Sequence, residues 1–123
     1  MSNPTGAQIL LIAADRRTRS LTLAQLEAQG FDVTAEPGLR AAARAVSLRR
    51  LAPPLVLIDT SGDEHATPEN VAALLDATPS AKAIVLAGTH GLSAWEPLRP
   101  RLAALLHRPI TIGQIVEAVT HAI

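Results

Sequence analysis

Pro54-Leu55-Val56-Leu57-Ile58-Asp59 is the stretch on which the reading of this chain turns. Four apolar residues run together without a polar break, and a continuous short run of this kind suits a strand buried on both faces, as in a parallel sheet. Periodicity alone does not separate so short a run from helix, and the flanks decide. Before it, Leu39, Ala42, Ala43 and Val46 fall at i, i+3, i+4 and i+7, one face of a helix. After it, Thr67-Pro68-Glu69 supplies an N-cap, a proline at the first helical position and an acid against the dipole. Val71, Leu74 and Leu75 then repeat the helical spacing.

The same grammar extends outward. Ile9-Leu10-Leu11-Ile12-Ala13 and Ala83-Ile84-Val85-Leu86-Ala87 are two further continuous apolar runs. Phe31-Asp32-Val33-Thr34-Ala35 alternates and reads as a strand nearer an edge, and Ala103-Ala104-Leu105-Leu106 is a weaker fifth strand. Residues 18–29 read as a helix with a blurred stripe (Leu21, Ala24, Leu26, Ala28), stopped by Gly30 at a C′ position. Ile112, Ile115, Val116, Val119 and Ile123 form the clearest stripe, opened by Thr111 and Gln114 as a capping box. A helix between Ser93 and Leu102 is interrupted by Pro97 and Pro100. Strict alternation of strand and helix implies a parallel sheet with helices on both faces and right-handed crossovers. Five strands at this spacing predict a flavodoxin-like doubly wound α/β fold in three layers, with Asp59 ending the central strand.

The 123 residues suit one domain over 1–123, its core over about residues 7–123. Hydrophobic residues make up 48% and charged residues 18%, a globular balance. The absence of cysteine excludes disulfides, thiol catalysis and thiolate metal sites. No apolar run approaches the ~20 residues of a membrane span, and Met1 to Gln8 has no signal-peptide pattern, so a cytoplasmic protein is expected. Formal net charge is zero and aromatic content only 2%, which argues against a nucleic-acid partner. No G-x-S-x-G motif and no glycine-rich phosphate loop is present, so no enzyme activity is expected.

In a doubly wound sheet, chemistry gathers at the carboxyl ends of the strands. Those ends carry Ala13-Ala14-Asp15, Asp59-Thr60-Ser61, Ala87-Gly88-Thr89 and Leu106-His107-Arg108-Pro109. With Arg19, Leu21, Leu26, Glu27, Gly30, Phe31 and Val33 in their present spacing, this layout resembles a bacterial response-regulator receiver domain over essentially the whole chain. The resemblance implies a phosphoacceptor at Asp59, an Arg108-Pro109 in the place of Lys-Pro with a cis peptide bond, and a role in two-component phosphorelay signalling. It also marks departures. The acid pair that holds Mg²⁺ in receivers is replaced by Ala13 and Ala14, the switch hydroxyl by Ala87 and the switch aromatic by Leu105. The resemblance is therefore to an atypical or pseudo-receiver, with no cofactor and with Mg²⁺ binding weak or absent. Asp15, Asp59 and Asp63 are the weak candidates for such a metal.

Candidate residues divide as follows. Asp59 is either a phosphoacceptor or a carboxylate in a standing ion pair with Arg108, whose fork suits such a pair. Arg16, Arg17 and Arg19 oppose the dipole of the helix they open, so they either hold a small anion or nucleotide or form a solvated helix start. His65, His90, His107 and His121 lack metal-ligand spacing. Trp95 either anchors a partner or covers the core where Pro97 thins the fourth helix. The resemblance implies partners among signalling proteins (a histidine kinase, a phosphotransfer domain or an output domain) and a homodimer. Trp95, Leu98, Arg101 and Gln114 lie on the face that receivers use for these contacts. The leading expectation is a degenerate receiver acting through protein–protein interaction. The alternatives are a receiver still phosphorylated at Asp59 and an anion or nucleotide sensor built on the arginines.

Overall fold

The computed structural model describes residues 8–88 and 91–123. The strands are β1 (Gln8–Ala13), β2 (Asp32–Glu36), β3 (Leu55–Asp59), β4 (Lys82–Ala87) and β5 (Leu102–His107). The helices are α1 (Arg16–Ala28), α2 (Leu39–Arg49), α3 (Pro68–Ala77) and α4 (Ile112–Ala122), with a 3-10 helix (Leu92–Arg101) between β4 and β5. All neighbouring strands are parallel, in the order β2-β1-β3-β4-β5, so β3 is central and Asp59 is its last residue.

The alternation of side chains along each strand divides the core in two. Leu10, Ile12, Val56, Ile58, Val85 and Ala87 point to the face covered by α2, α3 and the 3-10 helix. Ile9, Leu11, Leu55, Leu57, Ile84 and Leu86 point to the face covered by α1 and α4. Every residue of β3 is buried, which is why its sequence shows no polar alternation. The local signals read in the sequence act as expected. Gly30 takes a φ of 93° after α1, Thr67 caps α3 through the Asn70 N–H, and Thr111 and Gln114 close a reciprocal capping box on α4. The Arg108–Pro109 bond is cis.

Three readings are corrected by packing. On α1 the inward residues are Thr22 and Leu26, while Leu21, Ala24 and Ala28 are exposed. On α2 Ala45, not Ala43, completes the buried face. On α4 Ile115 and Val119 are buried, but Ile123 lies beyond the helix and is 53% exposed.

The largest correction concerns the segment before β5. Pro97 and Pro100 lack the N–H groups that an α-helix there would need, and the chain winds as a 3-10 helix instead. At three residues per turn, Leu92, Trp95 and Leu98 stack on one side, against the α2/α3 face of the core. Trp95 is 5% exposed and Leu98 6%, so neither is available as a partner anchor; both are core residues. Arg101, next in the same row, pairs with Asp76 at the end of α3 at 2.9 Å. Of the four residues read as a partner surface, Arg101 and Gln114 alone are exposed.

Candidate functional site

Parallel register brings the ends of β1, β3 and β4 side by side: Ala13 lies opposite Asp59, and Asp59 opposite Leu86. The loop after β3 turns back over this end. The Thr60 N–H and hydroxyl both donate to the Leu86 carbonyl, at 3.1 and 3.0 Å, and the Ser61 N–H donates to Asp59 Oδ1 at 3.0 Å. The other oxygen, Oδ2, accepts from Arg108 Nη2, which follows β5. Arg108 is itself anchored by its backbone N–H on the Ala87 carbonyl at 3.0 Å.

The Asp59 carboxylate is thus an acceptor with both oxygens engaged, and it is only 2% exposed. The Arg108 side chain, which pairs with it, is 31% exposed. An adjoining cavity of about 350 Å³ is lined by Ala14, Asp15, Thr18, Ser61, Gly62 and Arg108. Arg108 lines this cavity while Asp59 does not. Arg108 Nε is buried and finds no acceptor among the described residues.

Solved structures share this architecture. A response regulator receiver domain protein from Clostridium thermocellum superposes at a TM-score of 0.79 and 20% identity, covering 94% of this chain and 93% of that one. An adenylate cyclase structure from Rhodopirellula baltica superposes at 0.84 and 16% identity, covering 95% and 87%. NtrX from Brucella abortus matches at 0.77 and 17% identity over 95% of this chain, which spans only 27% of NtrX. The chain has the receiver fold. No family model and no curated protein matches its sequence.

Within this receiver-fold chain the remaining carboxylates near the site are committed elsewhere. Asp15 caps α1, accepting from the Thr18 N–H at 2.8 Å. That bond, the Thr18 side chain beside it and the nearby Arg17 and Arg19 hold its carboxyl below the ordinary aspartate range. Asp63 caps α2 across the chain, accepting from Leu39 N–H at 2.7 Å through Oδ2 and from His65 N–H at 3.1 Å through Oδ1. Asp15 thus has one oxygen committed to a cap and Asp63 both. Mg²⁺ takes an octahedral shell of hard oxygens. Ala13 and Ala14 carry no side-chain oxygen, and the Asp59 oxygens face an arginine and a backbone N–H, so these groups do not fit that ion. Among the described residues no group of three His, Asp or Glu could hold a metal. His90, with Thr89, lies outside the described residues.

The three arginines take different roles in the receiver-fold chain. Arg19 donates to the carbonyls of Ala13 at 2.8 Å and Ala14 at 3.3 Å, closing the end of β1. These bonds tie its Nη1 to the backbone. Arg16 and Arg17 are exposed and do not join it. Sequence reading missed Asp63 as a cap because its partner, Leu39, lies 24 residues away. It also passed over Ser61, whose backbone rather than side chain serves the site.

Proposed function

We propose that this chain is a degenerate receiver, a protein-interaction module of two-component signalling that works without phosphoryl transfer to Asp59 and catalyses no reaction of its own. The observation that carries this reading is the closure of the Asp59 carboxylate by Arg108. A phosphoacceptor must present a free oxygen in line with the donor, with cations gathered on the transferring group. Here the cation Arg108 is engaged by the acceptor itself, and the side chains at 13 and 14 offer a metal no oxygen. Ala87 and Leu105 likewise lack the hydroxyl and aromatic ring that would report a phosphoryl group to the rest of the sheet. Mg²⁺ binding is accordingly proposed to be weak or absent. The partners proposed are a histidine kinase, a phosphotransfer domain or an output domain, with a homodimer as a further assembly. No described helix is long and apolar enough to cross a membrane.

The experiment is an NMR titration with Mg²⁺ followed by beryllofluoride, a phosphoryl mimic. Unmoved amide signals at Asp59, Ser61 and Arg108 support the degenerate reading. Saturable shifts at those three would establish a working acceptor and overturn it.

A further inference from the structure

We propose that the outer face of α2 is a docking surface for an acidic protein segment that also carries an apolar side chain. The proposal rests on the interaction-module reading and supplies the partner's chemistry.

No acid occurs anywhere in residues 37–58, although the chain as a whole is neutral. Arg40, Arg44, Arg49 and Arg50 fall in this stretch, all four are exposed, and none makes an ion pair among the described residues. Arg40, Arg44 and Leu48 succeed one another at i, i+4 and i+8, one continuous row on the helix surface. Leu48 is 75% exposed, against 45% for Leu21 and 53% for Ile123. The row begins beside the loop after β3, where Arg40 and Arg44 line an open cleft of about 870 Å³ with Thr60, Gly62 and the acids Asp63 and Glu64, of which Asp63 is engaged by the Leu39 and His65 N–H groups.

The start of this face works against its own helix. Arg40 in the first turn opposes the macrodipole and repels Arg44 at i+4, whereas Arg49 in the last turn favours the dipole. Gly38, at the N-cap, has no side chain to offer, and no acid stands in the first turn. The core needs none of these residues, because Leu39, Ala42, Ala45 and Val46 supply the buried face. Exposed choices that cost local stability are characteristic of a surface kept for binding.

Charge complementarity selects a carboxylate-rich occupant. The apolar residue within the row selects protein over nucleic acid. The sole tryptophan is buried, so no exposed indole offers bases a stacking surface. A membrane is disfavoured because the apolar face of α2 is already buried against the sheet.

The test is a titration of the full chain, followed by amide NMR, with three probes: a 12-residue peptide alternating Glu and Leu, a 12-residue all-Glu peptide, and a short DNA duplex. The expected result is shifts confined to α2 and its ends, tightest for the Glu-Leu peptide and weakening with salt. The Arg40→Gln/Arg44→Gln variant should bind about fivefold more weakly while its thermal midpoint holds or rises. Leu48→Ser, a surface change that leaves the core intact, should remove the preference for Glu-Leu over all-Glu. Shifts scattered over the surface, tighter binding of DNA, or unchanged affinity in both variants would overturn the proposal. Failure here leaves the beryllofluoride result standing, and that titration separately tests the inertness of Asp59.

Discussion

The carboxylate of Asp63 closes the N-terminus of the helix that starts at Leu39, from 24 positions further along the chain, at 2.7 Å. Gly38 leaves that end without a cap of its own, so the loop after β3 and the start of α2 are held by one bond. Asp63→Ala should lower the stability of the domain by about 1 kcal/mol. Asp63→Asn, which keeps an acceptor oxygen, should lose less. Urea unfolding midpoints check both.

Arg108→Ala removes the cation from a carboxylate that is 2% exposed. An uncompensated buried charge is costly, and the partial exposure of the arginine tempers the loss to about 2–3 kcal/mol. Asp59→Asn keeps an acceptor for the Ser61 N–H and should be milder, changing partner binding by under about 1 kcal/mol. Calorimetric unfolding of the two variants orders them; equal losses would mean that the pair holds the strand ends no better than either residue alone.

Trp95→Ala should destabilise by about 3–5 kcal/mol, the cost of emptying a large core site. Arg101→Ala, which breaks an exposed pair with Asp76, should cost under about 1 kcal/mol. If Trp95 were an anchor for another protein instead, its removal would leave the denaturant midpoint unchanged, and that measurement decides the matter.

The cap on α1 carries a pH dependence of known sign. Asp15 ionises more readily in the folded chain than when unfolded, so its contribution is complete above the unfolded value and disappears as pH falls through the lowered folded one. Following the Thr18 amide from about pH 6 to about pH 2 should show it lose its partner late in that range. Asp15→Asn should abolish the transition.

Much of this architecture is legible because its signals are local. Leu55 to Ile58 is apolar throughout because both faces of the central strand are covered, and Thr111 with Gln114 caps α4 within one turn. The Asp59–Arg108 pair was also readable, since a buried acid without a metal calls for a nearby cation. The rest depends on distance or on helix type. Nothing near Asp63 announces that it serves Leu39. Trp95 reads equally as a partner anchor or a cover for the core, and the structure takes the second; the three-residue spacing of Leu92, Trp95 and Leu98, with Pro97 and Pro100, is the sign of a 3-10 helix that also buries Leu98. The exposed row on α2 had a compositional signal too: a stretch of 22 positions (37–58) without one acid.

Trp95 has a spectroscopic consequence as well. The chain contains one tryptophan and no tyrosine, so its near-ultraviolet emission comes from a single indole. That indole lies in the layer formed by the 3-10 helix, against β4 and α3. Its emission should be blue-shifted in the folded protein and move to the red when this layer opens, while α1 and α4, on the opposite side of the sheet, stay dark to it. A comparison of the emission transition with the helical circular dichroism signal would show whether the two sides of the sheet separate together or in turn.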